Sequence, residues 1–262
     1  MNKSIGKNLR VAMVVPCFNE SMRINFAYWK KIVSSNQDIS WIFIDDGSTD
    51  STLSVLRELS IELGVSVLRQ FSNKGKAEAL RLGFTNAISQ GFEIVGFIDV
   101  DGSFDASEVS SLCQRFAKED EWITVGSSID AVFTVRDLVQ DSLNLQGRLR
   151  RALGKIVSIA NRLAWKDLPR DTQCGFKFFR VNQCLKTALV SPFQNSWFFE
   201  IELLLRLDKL IYNRPLSIVE VPLNHCKHIA GSKTSSTSSL NSALQVAKIF
   251  LFILRHRKMG SK

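Results

Sequence analysis

The chain has 262 residues, of which 45% are hydrophobic and 23% charged, so a wholly disordered chain is excluded and one large domain is expected. The formal net charge is +9, but the charge is unevenly distributed. Residues 148–170 carry seven basic residues and one acidic one, and residues 227–262 carry seven basic residues and no acid. The rest of the chain is therefore mildly acidic, and the two basic stretches favour a phosphate-bearing partner or an anionic membrane surface.

The first half alternates short apolar runs with helix-length amphipathic segments. The runs are rich in β-branched and aromatic residues and too short for helices, so they predict strands. This alternation predicts an α/β fold with a mainly parallel sheet covered by helices on both faces. The predicted strands are 11–15, 41–45, 65–68, 93–98 and 122–126, and the predicted helices are 22–35, 50–63, 74–90 and 105–117.

The second half is less regular. We predict a basic helix at 147–165, a strand at 174–180, an apolar helix at 198–210, and a strand at 217–221 that Pro222 ends. A polar loop at 232–239 then leads to a final helix at 240–257. The sequence thus predicts one domain, 8–235, followed by a basic amphipathic extension, 236–262.

Five scattered cysteines, none spaced as CxxC, argue against a disulfide framework and a zinc site, and fit a reducing compartment. The N-terminus lacks the apolar core of a secretory signal. The longest apolar run near the C-terminus, Ile249–Leu254, is far below the ~20 residues that span a bilayer. These features predict a soluble or peripheral protein.

Carboxylates follow three of the predicted strands. Glu20 comes after the first strand, Asp45 and Asp46 close the second, and Asp99 and Asp101 follow the fourth. Any one of them is most simply a helix cap or a turn residue. Because ligands of such sheets bind beyond the carboxyl ends of the strands, the recurrence at one edge favours a binding site.

The pair Asp99 and Asp101 has a spacing that places both side chains on one face of an extended segment. Two carboxylates so placed would repel each other unless a hard divalent cation, Mg²⁺ or Mn²⁺, bridged them to a diphosphate. Lys76, in the segment NKGK that opens the third helix, is either a solvated lysine or a cation facing a phosphate group. Neither a Walker motif nor a GxGxxG fingerprint is present, which argues against a P-loop NTPase and a dinucleotide-dependent dehydrogenase.

Together these motifs resemble the family-2 glycosyltransferases with the GT-A (Rossmann-like) fold, and in particular the polyprenyl-phosphate sugar synthases of the dolichyl-phosphate glucosyltransferase type. The resemblance is carried by seven segments in family order across nearly the whole chain: VVPCFNE (14–20), IDDGSTD (44–50), NKGKAEALRLGF (73–84), IDVDG (98–102), RDTQCGFKFFR (170–180), WFFEIELL (197–204) and EVPLNH…GSK (220–233). The chain departs from many relatives in having Gly126-Ser127-Ser128 where they have Gly-Ser-Arg, so one acceptor-side cation is missing.

The resemblance implies an inverting transferase that takes a nucleotide-sugar donor, and it favours UDP-glucose as that donor. Pro16, Phe18, Glu20 and Asp46 would line the nucleoside pocket, and Asp45 would support the turn. Asp99 and Asp101 would hold the metal and the diphosphate. Lys76 and Lys233 would lie near the donor phosphates.

The acceptor decides what further groups are needed. A polyprenyl phosphate is largely ionised at neutral pH, because the second pKa of a phosphate monoester is about 6. It would need cations to position it, and the candidates are Arg148, Arg150 and Arg151. A hydroxyl acceptor in a glycan would instead need a base, for which Glu200 or Glu202 could serve. The alternative is a core helix whose glutamates point outwards or brace the DTQCG loop. A non-catalytic nucleotide-sugar-binding protein is a more distant alternative.

The C-terminal segment AKIFLFILRHRK places six apolar residues before a basic cluster, a pattern typical of an interfacial helix. We expect attachment to the cytosolic face of an anionic membrane, with a contact in a homo-oligomer as the competing use. The basic stretches lack interleaved stacking aromatics beyond Trp165, so no nucleic-acid partner is expected.

Overall fold

The structure, a computed structural model, describes residues 7–124, 127–136, 165, 168–196, 198–224, 226, 251–253 and 255. The helices are α1 (Phe26–Ser35), α2 (Thr52–Leu63), α3 (Lys76–Ser89), α4 (Ala106–Phe116), α5 (Gln183–Ala188) and α6 (Phe199–Leu210). The strands are β1 (Val11–Cys17), β2 (Ile39–Asp46), β3 (Ser66–Gln70), β4 (Ile94–Ile98), β5 (Ile123–Thr124), β6 (Ser127–Ser128), β7 (Ala131–Arg136), β8 (Phe176–Arg180) and β9 (Ile218–Leu223).

Seven of these strands form one sheet in the order β3-β2-β1-β4-β8-β7-β9. β8 is antiparallel to both of its neighbours, and the other pairings are parallel, so six of the seven strands share one direction. The mainly parallel sheet predicted from the alternation is confirmed. The chain runs outward from β1 to β3 and then crosses to β4 on the other side of β1. This reversal opens a crevice between the carboxyl ends of β1 and β4.

Helices pack on both faces of the sheet, as predicted. One face carries α1, α2 and α4, whose buried residues include Trp29, Leu56 and Val109. The opposite face carries α3 and α6, which contribute Phe84 and Leu203 to a second core. The near-continuous burial of β1, β2 and β4 explains why their sequences are apolar runs with no polar face.

Two predictions about elements were wrong, and β6, β7 and α5 were not predicted. Of the strand expected at 122–126, Ile123–Thr124 form β5, which pairs with β6 outside the main sheet, and residues 125–126 lie outside the described residues. The main sheet instead takes β7, which the sequence analysis overlooked along with α5. Pro222 does not end the strand at 217–221, because it lies within β9. β9 is the last strand in the sheet order, and at an edge the missing N–H of a proline is tolerated.

Several predictions fall outside the described residues: the basic helix over 147–164, the loop at 232–239 and most of the C-terminal helix. Trp165, at the end of the predicted basic helix, is buried in the second core. Residues 251–253 and 255 are helical, Ile253 is buried, and the Phe252 ring lies 5.6 Å from the Phe198 ring at the start of α6. No helix within the described ranges is both long enough and apolar enough to cross a membrane.

Candidate active site

A cavity of about 340 Å³ lies at the crevice between the carboxyl ends of β1 and β4. Its volume is in the range of small-molecule sites. The structure brings most of the predicted donor-binding, metal-binding and catalytic residues together in its wall, namely Pro16, Phe18, Glu20, Asp46, Lys76, Asp99, Asp101 and Glu200. Asp45 is not in the wall, and Arg148, Arg150, Arg151 and Lys233 lie outside the described residues.

The loop after β1 is held by the loop after β2. The Asn19 amide donates to Ser48 Oγ at 3.0 Å, and the Thr49 amide donates back to Asn19 Oδ1 at 2.8 Å. The Glu20 amide donates to Thr52 Oγ1 at 2.8 Å. Asn19 has a left-handed backbone with φ 50°, a conformation that asparagine tolerates better than most residues. These bonds fix the loop that carries Phe18 and Glu20 to the cavity.

The two aspartates that end β2 have different surroundings. Asp46 lines the cavity and accepts hydrogen bonds from the Lys74 amide at 2.9 Å and the Gly75 amide at 2.8 Å. Burial nevertheless raises the pKa of Asp46 above its ordinary value. Asp45 is fully buried and accepts a hydrogen bond from the Ser48 amide at 3.0 Å, across the turn. Asp46 therefore fixes the start of α3, and Asp45 fixes the turn after β2.

Gly47 is required by this turn. It has φ +67°, and a Cβ atom at this position would lie 2.5 Å from the backbone carbon of Ser72. The turn and the loop before α3 therefore approach each other too closely for any side chain. This contact brings the amides of Lys74 and Gly75 within reach of Asp46.

The Asp99 and Asp101 carboxylates both reach the cavity, but each one has its own basic partner. Lys76 Nζ lies 2.6 Å from Asp99 Oδ1, and Arg23 Nη2 lies 2.8 Å from Asp101 Oδ2. Burial disfavours the charged form of Lys76, but the charges of Asp99 and Glu200 outweigh this effect. The pKa of Lys76 is therefore raised above its ordinary value. Side-chain cations therefore already compensate both carboxylates, so relief of their repulsion does not by itself require the predicted metal.

Backbone contacts fix the segment between these two carboxylates. Trp29 Nε1 donates to the Val100 carbonyl at 3.1 Å, and the Asp99 amide donates to the Gly175 carbonyl at 2.9 Å. A Cβ atom on Gly175 would lie 2.0 Å from Asp99 Oδ2. The glycine of the DTQCG segment is thus explained by the close approach of the Asp99 carboxylate.

The donor set fits a hard divalent cation that is shared with a ligand's phosphate oxygens. Mg²⁺ commonly takes one or two protein carboxylates and completes its coordination with phosphate oxygens and water. Asp99 and Asp101 supply those two carboxylates. Within the described part of the chain, no cluster of three or more His, Cys, Asp or Glu side chains could hold a metal without such a ligand.

Glu200 lies in the first turn of α6 and lines the cavity. It is 3% exposed, and Lys177 Nζ lies 3.5 Å from its Oε1 atom. Among the described residues, Glu200 Oε2 has no hydrogen-bond partner although it is buried. Burial raises the pKa of Glu200, and the charges of Lys177 and Lys76 partly oppose this.

Lys177 is fully buried in β8 and is stabilised on several sides. Its ammonium group donates to the Cys174 carbonyl, and it lies 5.0 Å from the centroid of the Phe97 ring and 5.1 Å from that of Phe133. Cation–π contacts of this kind stabilise a desolvated ammonium. Lys177 therefore supplies a fixed positive charge behind Glu200.

Glu202 does not reach the cavity. It accepts hydrogen bonds from the amides of Gln194 and Asn195, and it pairs with Arg206 at 2.6 Å. Glu202 therefore braces the loop before α6, and it neither points outwards nor contacts the DTQCG loop in the bonds described here.

Arg23, Gln173 and Ser196 also line the cavity, and the sequence analysis did not single them out. Arg23 had a detectable signal, because it is a cation three residues after Glu20 in the loop that follows a strand. Gln173 and Ser196 gave none, since they come to the cavity only through the packing of the second half of the chain.

The fold and the site define a glycosyltransferase of the GT-A type. The family model "Glycosyl transferase family 2" matches residues 12–181, which is more than half of the chain. The chain belongs to glycosyl transferase family 2.

Curated relatives agree with this family. The chain is 30% identical to the dolichyl-phosphate beta-glucosyltransferase of Dictyostelium discoideum, over 99% of this chain and 80% of the relative. It is 26% identical to a dolichyl-phosphate beta-glucosyltransferase of Trichomonas vaginalis, covering 91% of this chain and 70% of the relative. The chain is 24% identical to the polyprenol monophosphomannose synthase of Mycolicibacterium smegmatis, covering 90% of this chain and 84% of the relative.

Solved structures share the fold. Glucosyl-3-phosphoglycerate synthase from Mycobacterium tuberculosis, in complex with Mn²⁺, UDP and glucosyl-3-phosphoglycerate, aligns with a TM-score of 0.60 at 19% identity, covering 94% of this chain and 80% of that one. A mannosyltransferase from Pyrobaculum calidifontis, in complex with GDP-Man and Mn²⁺, aligns with a TM-score of 0.55 at 16% identity. The alignment covers 97% of this chain and 74% of that one.

Proposed function

We propose that this glycosyltransferase moves a hexose from a nucleotide-diphosphate sugar, with UDP-sugar favoured, to a polyprenyl phosphate, with inversion at the anomeric carbon. The observation that carries the proposal is the cavity wall itself, in which two carboxylates and two basic side chains meet at the crevice between β1 and β4. The names of the curated relatives support a polyprenyl-phosphate acceptor, and the solved relatives that hold UDP or GDP-Man support a nucleotide donor.

In this proposal the donor lies across the strand ends. Phe18, Glu20 and Asp46 face the nucleoside, and Lys76 reaches the diphosphate from the N-terminus of α3. Asp99 and Asp101 would hold Mg²⁺ or Mn²⁺, which when bound supplies positive charge to the leaving diphosphate. Lys76 adds a fixed cation at the same place, so negative charge that develops on the leaving group is stabilised in a partly buried site.

The acceptor phosphate needs no general base, because it is largely ionised at neutral pH. Arg148, Arg150 and Arg151 remain our candidates for positioning it, and Lys233 for closing over the donor phosphates. We propose one catalytic domain, 8–235, with the extension 236–262 attached to the cytosolic face of an anionic membrane. The basic cluster at the end of that extension supports the attachment.

A hydroxyl acceptor in a cell-surface glycan is the second candidate, and one observation favours it. Glu200 is buried in the cavity wall with one oxygen that accepts no hydrogen bond from a described residue, and burial raises its pKa. A carboxylate in this state could remove a proton from an acceptor hydroxyl.

The test is to incubate the full chain and Mn²⁺ with labelled UDP-glucose, UDP-galactose, UDP-N-acetylglucosamine and GDP-mannose. Each donor is offered with undecaprenyl phosphate, dolichyl phosphate or the matching dephosphorylated polyprenol. We expect labelled lipid only with the phosphates, and one nucleoside diphosphate released per transfer. Transfer to the polyprenol or to a glycan, without transfer to the phosphates, would move the assignment to the second candidate. Nucleotide binding without any transfer would favour a non-catalytic protein.

Membrane attachment is tested separately by sedimentation with liposomes that contain anionic lipid. The full chain should sediment with them, and a chain lacking 240–262 should stay in the supernatant. Equal sedimentation of the two chains would contradict the interfacial helix.

A further inference from the structure

Arg23 joins two acidic side chains of the cavity that belong to different loops. Its Nη1 atom lies 3.1 Å and 2.9 Å from the two carboxylate oxygens of Glu20, and its Nη2 atom lies 2.8 Å from Asp101 Oδ2. The other oxygen of Asp101 accepts hydrogen bonds from the amide and the hydroxyl of Ser103. Both Asp101 oxygens therefore accept hydrogen bonds from protein groups.

This arrangement opposes the binding of a divalent cation on its own. A cation that takes Asp101 Oδ2 must displace the Arg23 guanidinium, whose side chain is only 21% exposed. The displaced guanidinium is partly buried and needs a new anionic partner, because an unpaired charge in such a place is costly. Glu20 alone cannot satisfy it fully, since Arg23 Nε is already buried without a hydrogen-bond partner among the described residues.

A diphosphate in the cavity would supply that partner. Guanidinium groups bind phosphate oxygens through paired N–H donors, and Arg23 lines the same cavity as Lys76 and Asp99. When the diphosphate and the divalent cation arrive together, the cation can take Asp101 while the guanidinium passes to a phosphate oxygen. Each ligand then removes an obstacle to the other.

We propose that Arg23 is a positioning residue that couples the binding of the divalent cation to that of the nucleoside diphosphate. It holds Asp101 while the cation is absent and turns to the diphosphate when the cation takes the carboxylate. The inference rests on the proposed function, because it requires a diphosphate in this cavity. Since coupling between two ligands is reciprocal, UDP must tighten Mn²⁺ binding by the same factor by which Mn²⁺ tightens UDP binding.

The experiment titrates the full chain with MnCl₂ and follows free Mn²⁺ by its EPR signal, with and without saturating UDP. For the wild type we expect UDP to tighten Mn²⁺ binding about tenfold, within the usual range of such couplings. Arg23→Gln removes the competing guanidinium. It should bind Mn²⁺ alone about fivefold more tightly and show a correspondingly smaller effect of UDP. Arg23→Lys keeps the charge but has a single donor group, so its Mn²⁺ affinity should fall between the two.

The matched control is Arg69→Gln. Arg69 is in β3, with its Nε atom 3.6 Å from Asp45 Oδ2, and it does not line the cavity. This variant removes the same charge near the site without freeing Asp101, so it should keep the wild-type coupling. An Asp101→Asn variant gives the background from unrelated Mn²⁺ sites.

The outcomes separate this inference from the proposed function. If UDP does not bind to any variant, the proposed donor site itself is wrong. If UDP binds but Arg23→Gln leaves Mn²⁺ affinity unchanged, weakens it, or changes it no more than Arg69→Gln does, only the role of Arg23 is overturned. Tighter Mn²⁺ binding with reduced coupling, confined to the Arg23 variants, supports it.

Discussion

Residues 16–101 and residues 173–200 both line the cavity, but they reach it in different ways. The first stretch places its side chains directly after β1, β2 and β4, through short loops that are bonded to one another. The second stretch contributes from the entry to β8, from the loop before α6 and from the first turn of α6. Its Glu200 depends on a buried lysine in another element. The cavity thus has a donor part, residues 16–101, that local sequence builds, and a second part, residues 173–200, that tertiary packing builds.

The largest effect is expected in the donor part. Asp101→Ala should reduce turnover by about 10³-fold, because the leaving diphosphate loses the charge that this carboxylate anchors. The unfolding midpoint in urea should fall modestly, because Arg23 keeps only Glu20 as its partner. The measurement is the initial rate of labelled sugar transfer. Asp105→Ala is the control: Asp105 caps α4 by accepting the amides of Ser107 and Glu108, so its loss costs about 1 kcal/mol of stability. Turnover by that control should survive, and an equal loss in both variants would contradict the role of Asp101.

In the second part of the cavity, residues 173–200, Lys177→Met should destabilise the protein by about 3–5 kcal/mol, because Glu200 is left buried without its counter-charge. The raised pKa of Glu200 gives this loss a pH dependence. The native state then binds more protons than the unfolded state above the ordinary glutamate pKa of about 4.3, so stability falls as pH rises through that window. Urea denaturation at several pH values between 5 and 8 measures both effects.

The double variant Lys177→Met/Glu200→Gln is the matched control for that measurement. It removes the buried charge together with its partner, so it should recover much of the lost stability and abolish the added pH dependence. If the double variant is as unstable as the single one, Lys177 acts through packing alone.

The variant Glu200→Gln tests whether Glu200 acts as a general base in catalysis. With a polyprenyl-phosphate acceptor we expect turnover to fall less than about tenfold, since the acceptor carries its own charge and loss of a true general base costs about 10²–10⁴-fold. The measurement is turnover at saturating donor and acceptor. A loss in the range expected for a base would favour the hydroxyl acceptor.

The smallest effect concerns the loop contacts of the donor part. Burial acts to raise the pKa of Asp50, but hydrogen bonds from Thr52 and Ser21 hold it at about 2. Because the folded pKa is below the ordinary aspartate value of about 3.9, this stability is present above that pH and is lost as pH falls towards 2. Asp50 is exposed, so Asp50→Asn should lower stability at pH 7 by less than about 1 kcal/mol. Thermal unfolding of both proteins at pH 7 and pH 3 should show that the difference narrows in acid.

The same contrast explains which predictions failed. β5 and β7 both come from short apolar runs, but only the run at 122–126 was predicted to be a strand. Ala131–Arg136 joins the main sheet because β8 and β9 pair with its two edges, which is information that no local window contains. The pairing of Arg23 with Asp101 is likewise absent from any local window, since the contact spans 78 positions of the chain.

The sequence by itself determined the α/β alternation and the position of Asp46, Asp99 and Asp101 at the carboxyl ends of buried strands. Both depend on periodicity and turn chemistry over a few residues. Only the tertiary structure decided the direction of β8, the burial of Glu200 beside Lys177, and the pairing of the Asp99 and Asp101 carboxylates with Lys76 and Arg23. These depend on distances between residues far apart in the chain, which packing of the whole domain sets.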